Sequence, residues 1–200
     1  PLFLYHEVAS EKKELISSFD KANRLSFGLW DSVPDKSLEN AAQNNKLATE
    51  KQIRQQAHRM LKDNRAKSKV FEFLFKWLNI QHDPELVKDQ DQFSDFSRKT
   101  AAAMRTSLLL GLDDIVWGEE SDFRRLFTDD TVFLDGTLAS IFGIPLSKDA
   151  LFRKVQLDNG QRAGIITHPY VMSVLSYADS TSPIHRGVFL ARAVLGNVLK

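Results

Sequence analysis

The chain contains 200 residues, which suits one domain or one domain with a small appendage. Its apolar share of 42%, with 14 phenylalanines, supports a sizeable core and excludes a wholly disordered chain. The net charge of +1 gives no general electrostatic case for a nucleic-acid or anionic-membrane partner. Cysteine is absent, which excludes disulfides, thiolate metal sites, cysteine nucleophiles and Cys-x-x-Cys-His haem attachment within these residues.

The first third of the chain has helical periodicity. Apolar residues recur on one face from residue 20 until Pro34 ends the pattern, and a second short helix closes at Asn44 and Asn45. Thr49 is a plausible cap for a third helix, which places Ile53 and Met60 on one face. No apolar run reaches about 18 residues, so the sequence predicts no membrane span.

The segment 66–80 is the most apolar and predicts a helix buried on most sides. Its helical spacing places four residues in the core: Phe71, Leu74, Trp77 and Leu78. A longer helix follows over 95–118, and residues 121–145 predict a short helix, a turn at 128–131 and a further helix stopped by Gly143 and Pro145.

The pattern changes near residues 145–150. Residues 152–157 and 161–167 read as two short antiparallel strands that turn at Asp158-Asn159-Gly160, a strong hairpin signal. The sequence therefore predicts a mainly α protein, a multi-helix bundle with one small β-hairpin near the C-terminal third. We expect a helical body over 1–148 and a hairpin-plus-helix module over 149–200, packed together as one unit.

Most of the polar residues carry no recognisable chemistry. The five histidines lack metal-ligand spacing, so no metal site is predicted, and no phosphate-binding loop occurs. Adjacent acids such as Asp113-Asp114 and Asp129-Asp130 are typical of a solvated face or a helix cap, because neighbours on a helix point about 100° apart.

The stretch 162–187 differs because polar side chains crowd into it. Ser182 and Pro183 suit the N-cap and first position of a helix. His185 and Arg186 then fall in the first turn, where the helix dipole disfavours cations, so a compensating anion is expected. Asp179, a carboxylate of the helical body or a bound ligand could supply it, and a structural clamp and a ligand site stay open. The candidate ligand-binding residues are Arg162, His168, Asp179, Ser182, His185 and Arg186.

The same stretch carries a family resemblance. Residues 161–200, beginning "QRAGIITHPY" and containing "TSPIHRG", resemble the start of a domain of unknown function numbered fifteen eighty-eight in its series. It occurs in very large proteins best known from planctomycetes. Residues 71–80 and 123–145 are similar to its usual neighbour fifteen ninety-two, and residues 1–8 and 22–47 to the module fifteen ninety-five.

The resemblance implies context more than chemistry. Its members are typically exported or periplasmic, often carry a c-type cytochrome module elsewhere in the polypeptide, and have no established catalytic residues. It implies an accessory module that binds other domains of the same polypeptide, or an anionic group near the Thr-Ser-Pro-x-x-Arg-Gly motif. Part of an extracellular redox enzyme acting on a polysaccharide, or a purely structural scaffold, are the alternatives. Haem c would lie outside this chain, which opens without an initiator Met and is expected to be a piece of a longer protein.

Overall fold

A computed structural model describes residues 17–80, 86–157, 160 and 162–197. These residues form nine α-helices and one two-stranded antiparallel sheet, which confirms the mainly α class. The helices are α1 Ser18–Trp30, α2 Lys36–Gln43, α3 Glu50–Leu61, α4 Asn64–Trp77, α5 Arg98–Trp117, α6 Arg125–Thr128, α7 Gly136–Phe142, α8 Pro169–Val174 and α9 Pro183–Phe189. The strands are β1 Thr131–Leu134 and β2 Arg153–Gln156.

The chain divides into two compact units, one ending at Leu74 and one beginning at Phe75. Within the described residues, no helix is long and apolar enough to cross a membrane. The predicted division into 1–148 and 149–200 stays a prediction.

Side-chain caps set the helix starts in the first unit. Ser17 and Thr49 each form a capping box with the residue three positions later, and Asp35 caps α2. The cap predicted at Thr49 is therefore confirmed. So is the end of the second helix, because α2 stops at Gln43 and Asn45 adopts a φ of 53°.

The first unit is built around one indole. Trp30 is buried, and its ring nitrogen donates to the Met60 carbonyl at 2.9 Å. The guanidinium of Arg65 lies 3.5 Å from the ring centroid, so a cation covers the ring face. The other buried members of this core are Ala22, Leu38, Ala41, Ala42, Leu47, Met60 and Ala66.

The prediction that the 66–80 helix is buried on most sides is wrong. Leu74 and Leu78 are buried as predicted, whereas Phe71 and Trp77 are only half-buried and Phe73 is 59% exposed. A helix of a small unit contacts its neighbours along one stripe, so apolar density alone did not show which side lies outside.

The second unit is organised by the twenty-residue helix α5. Ser97 caps it, accepting from the Thr100 amide. Its buried residues include Met104, Leu108 and Leu112. Strand β1 packs against it with an alternating pattern in which Val132 and Leu134 are buried.

The strand predicted at 161–167 is wrong. Strand β2 pairs instead with β1, in an antiparallel register that runs from Thr131↔Gln156 to Leu134↔Arg153. Residues 165–167 form a 3₁₀ turn, and the Gly164 amide donates to the Asp129 carbonyl at 2.7 Å. The segment around Gly164 is therefore held against the α6–β1 corner. Asp158 and Asn159 of the predicted turn lie outside the described residues.

Candidate functional site

The structure separates the six candidate residues into two groups. Arg162 and His168 line one small cleft beside β1, the Arg162 cleft. The other four lie around the start of α9 and line neither this cleft nor the one that adjoins it: Asp179, Ser182, His185 and Arg186. The assignment of ligand binding to the six residues stays a prediction.

The start of α9 follows from its sequence. Ser182 is buried, its hydroxyl accepts from the His185 amide at 3.3 Å, and Pro183 is the first helical residue. This confirms the predicted cap. The helix continues as a π-turn over Leu190–Val194.

The expected partner of Arg186 is not found. Among the described residues, its guanidinium contacts neither a carboxylate nor a carbonyl. Its Nη1 lies 3.9 Å from the Met172 sulfur. Asp179 is exposed and accepts a bond from Ser180 at 2.9 Å. Arg186 is the fourth residue of a helical segment that runs on to Val194, and the dipole effect falls off within one turn, so an anion is not required there.

His185 is exposed and packs its ring against another aromatic side chain. The ring centroids of Tyr177 and His185 are 5.0 Å apart, with the planes tilted by 56°. The contact joins the loop before the motif to the first turn of α9.

His168 caps α8 through its ring. Its Nδ1 accepts from the Tyr170 amide at 3.2 Å, which leaves the proton of the neutral ring on Nε2. Nε2 lies 3.2 Å from the Ser107 hydroxyl, and this hydroxyl donates to the Phe133 carbonyl at 2.5 Å. Burial lowers the pKa of His168 to about 3, so the ring is neutral at pH 7.

This order of protons differs from that of a nucleophile and its base. A catalytic serine donates its proton to an acceptor nitrogen of histidine. Here Nε2 carries the proton and donates to Ser107, whose own proton is committed to Phe133. The Ser107–His168 pair therefore links α5, β1 and α8 as a structural chain of hydrogen bonds.

The adjoining cleft, the Arg125 cleft, contains a network of charges. Arg125 bonds Asp114 at 2.8 Å and Asp129 at 2.6 Å, and Lys154 bonds Asp114 at 2.7 Å. Lys154 and then Arg125 hold the pKa of Asp114 below its usual value. For Asp129, burial raises the pKa, but bonds from Thr131 and Arg125 outweigh it and the net pKa is lowered.

Sequence reasoning missed this network. Asp114 and Asp129 belong to acid pairs that the sequence predicts to be solvated faces or helix caps, yet both are partly shielded partners of one arginine. The available signal was the spacing of Arg125 and Asp129, which places a cation and an acid on one side of a helical turn. No pattern in the sequence could pair Asp114 with Lys154, forty positions away.

Lys88 was also missed. This buried lysine places its ammonium among oxygens at the C-terminal end of α8, 2.9 Å from the Ser173 carbonyl and 2.6 Å from the Tyr177 carbonyl. The Ser176 hydroxyl accepts a further bond at 2.8 Å. The Lys88 ammonium therefore joins the C-terminal end of α8 to the loop that precedes the Thr-Ser-Pro motif.

The described residues of the two clefts do not form a metal-binding site. Across residues 17–80, 86–157, 160 and 162–197, no group of three or more histidine, aspartate or glutamate side chains could hold an ion. Within the same residues no buried side-chain nitrogen or oxygen is left without a partner. The polar groups of the clefts are thus largely satisfied by the protein itself.

The comparisons place the chain among domains of unknown function. The family model described as "PSD4: Protein of unknown function (DUF1592)" matches residues 16–144, more than half of the chain, so the chain belongs to this family. A second model, "PSCyt3: Protein of unknown function (DUF1588)", matches residues 162–200. No match was found among curated proteins or among solved structures.

These matches confirm two of the three modules expected from the resemblance. The third, fifteen ninety-five, was not found, and the segment 22–47 assigned to it lies inside the DUF1592 match. The label PSCyt3 points to a cytochrome context. The 200 residues hold no cysteine, so no haem c is attached within them.

Proposed function

We propose that this chain is an accessory interaction module of a larger exported, cytochrome-associated polypeptide. In this proposal it binds another domain of that polypeptide through the face formed by Tyr177, Ile184, Arg192 and Leu195, the α9 face. The family membership supports the multidomain setting, and the α9 face is the observation that carries the binding role.

Large apolar side chains are exposed on the α9 face. Ile184 is 74% and Leu195 67% exposed, and Tyr177 is also exposed. The helix is nevertheless well anchored to its own unit, because Phe189 is buried and the Trp77 ring nitrogen donates to the Ala193 carbonyl at 2.6 Å. A firmly held helix that presents large apolar side chains is typical of a docking surface.

The arginines of α9 and the turn after it indicate the chemistry of the partner domain. Within the described residues, neither Arg186 nor Arg192 has a carboxylate partner, and Arg192 is exposed. Arginine is enriched at protein interfaces, where it pairs with carboxylates of the partner. The partner domain is therefore expected to present an apolar patch bordered by Asp or Glu.

Hydrogen exchange tests this proposal. The amides of residues 184–195 would be compared in the 200-residue chain and in the longer polypeptide that the resemblance implies. Slower exchange in the longer polypeptide supports docking, and an Ile184→Asp variant should remove the added protection. The matched control is Leu151→Asp, since Leu151 is an apolar side chain of the same unit that is 86% exposed.

Equal exchange of residues 184–195 in both polypeptides would overturn the proposal and favour a purely structural role. So would an effect of Leu151→Asp as large as that of Ile184→Asp, because the binding would then not belong to the α9 face.

A further inference from the structure

We propose that the Arg162 cleft binds the carboxylate group of a small acidic ligand, with Arg162 as its anchor and Phe142 as the support of Arg162. These two residues line the cleft together with Asp129, Gly164, Thr167 and His168. The site is separate from the α9 face, so this proposal stands independently of the proposed function.

Within the part of the chain that the structure describes, Arg162 has no carboxylate partner to balance its charge. Arg125 is balanced by Asp114 and Asp129, and Lys154 also bonds Asp114. Among the described residues, no carboxylate pairs with Arg162. Its guanidinium contacts the ring of Phe142 instead. A half-buried guanidinium has lost part of its hydration, so an anion brought beside it gains more than one beside a fully solvated cation.

The geometry of Arg162 suits a planar anion. Its guanidinium carbon lies 4.9 Å from the centroid of the Phe142 ring. The ring contacts the cation through its π-system, and among the described residues the N–H donors of this guanidinium have no hydrogen-bond acceptor. Two parallel N–H groups match the two oxygens of a carboxylate, a fit that lysine does not offer.

The rest of the cleft tolerates an anion. Asp129 lines it, but its two carboxylate oxygens already accept from Thr131 and Arg125, so its charge is compensated. The ring nitrogens of His168 are both engaged, by Tyr170 and Ser107. The cavity volume is about 30 Å³. This exceeds the roughly 10–15 Å³ that one water requires and suits a carboxylate head group whose remainder points outward.

The experiment is a titration of the ¹⁵N-labelled 200-residue chain with sodium acetate, followed by the amide signals of Arg162, Gly164 and Thr167. Sodium chloride at matched ionic strength measures the effect of salt alone. Sodium phosphate at matched ionic strength distinguishes a carboxylate site from a general anion site. Saturable shifts with acetate, absent with chloride and weaker with phosphate, are expected.

Variants locate the site. Arg162→Gln should weaken acetate binding by about tenfold or more, the effect of losing a charge-assisted bond. Arg162→Lys, which keeps the charge without the planar fork, should weaken it by a smaller factor. Arg105→Gln is the matched control, since Arg105 is exposed, also lies over a phenylalanine ring and is outside the cleft, and it should leave the titration unchanged.

Shifts that do not saturate, that chloride reproduces, or that persist in Arg162→Gln would overturn the proposal. Phosphate binding as strong as that of acetate would overturn the carboxylate assignment. Should Arg162→Gln fail to fold, the comparison of Arg162→Lys with the wild type decides, because equal acetate affinity there contradicts recognition by a planar fork.

Discussion

Gly164 carries a constraint that belongs to a single residue. Its φ is +63°, and a Cβ built there would lie 2.5 Å from the Leu126 carbonyl oxygen and 2.6 Å from backbone atoms of Phe127. Any other residue would meet both backbone strain and a clash with α6. Glycine is therefore required at this point of the Arg-Ala-Gly motif for packing.

We expect Gly164→Ala to lower the free energy of unfolding by well over the roughly 1–2 kcal/mol that positive φ alone costs. Gly143→Ala is the matched control, because Gly143 has a φ of +66° but open space around its Cβ position. Gly164 also has a ψ of −173°, outside the left-handed region that Gly143 occupies with a ψ of 23°, so its backbone strain is larger as well. Urea unfolding should therefore show a greater loss for Gly164→Ala than for Gly143→Ala. Equal losses would show that α6 yields to the added methyl group.

The Lys88 side chain caps the C-terminal end of α8. Replacing it with Met should cost about 3 kcal/mol, because the Ser173 and Tyr177 carbonyls would lose a charged donor in a buried place. Lys99→Met, at an exposed position of α5, should change the free energy of unfolding little. A Lys88→Met protein with an unchanged unfolding midpoint would contradict the assignment.

At the scale of elements, Trp77 connects the end of α4 to the π-turn. Its indole donates to the Ala193 carbonyl, and its ring contacts Phe123 and Phe127 with centroids 6.0 and 6.1 Å away. Trp77→Phe keeps an aromatic ring and removes the hydrogen bond. It should cost about 1 kcal/mol and speed amide exchange at Leu195, whose amide bonds across the π-turn to Leu190. Unchanged exchange there would show that the π-turn does not depend on Trp77.

Helices were predictable because their signals are local. The caps at Thr49 and Ser182 and the stop at Asn44 and Asn45 depend on residues within one turn, and the structure has them where the sequence indicates. The sheet was only partly predictable. Strand β2 was expected, but its partner β1 lies about twenty residues upstream, where the sequence indicated the end of a turn and the start of a helix. Pairing between distant segments leaves no periodic trace in either one.

The candidate site was predictable to the same degree. The crowding of polar residues at 162–187 indicated a special region, and Arg162 and His168 do line one cleft. No carboxylate of the described residues pairs with Arg186, so the structural clamp is not found, and a bound ligand as its partner stays a prediction. The charges of Asp114, Arg125, Asp129 and Lys154 meet only through the folded arrangement of α5, α6 and β2, which a sequence alone does not contain.

At the scale of the whole molecule, carboxylates paired with arginine or lysine set the acid limit of stability. The pKa values of Asp35, Asp114 and Asp129 are all lowered in the folded state. Groups with a lowered folded pKa stabilise the protein above the unfolded value of 3.8 and lose that contribution as pH falls through the folded pKa. Their effect is therefore expected below about pH 4.

His168 should act at a higher pH than the carboxylates. Its pKa falls from 6.5 to about 3 on folding, so below pH 6.5 the unfolded chain binds a proton at His168 that the folded protein does not bind. The free energy of unfolding should then decrease by up to about 1.4 kcal/mol for each pH unit between pH 6.5 and 4.5, before the aspartates contribute.

His168→Asn, which retains an acceptor suited to an N-cap, should flatten this part of the profile whatever it does to stability at pH 7. Urea unfolding of both proteins at half-unit pH steps measures the two slopes. Equal slopes would mean that His168 takes up its proton as readily in the folded protein as in the unfolded chain, and that burial does not hold the ring neutral.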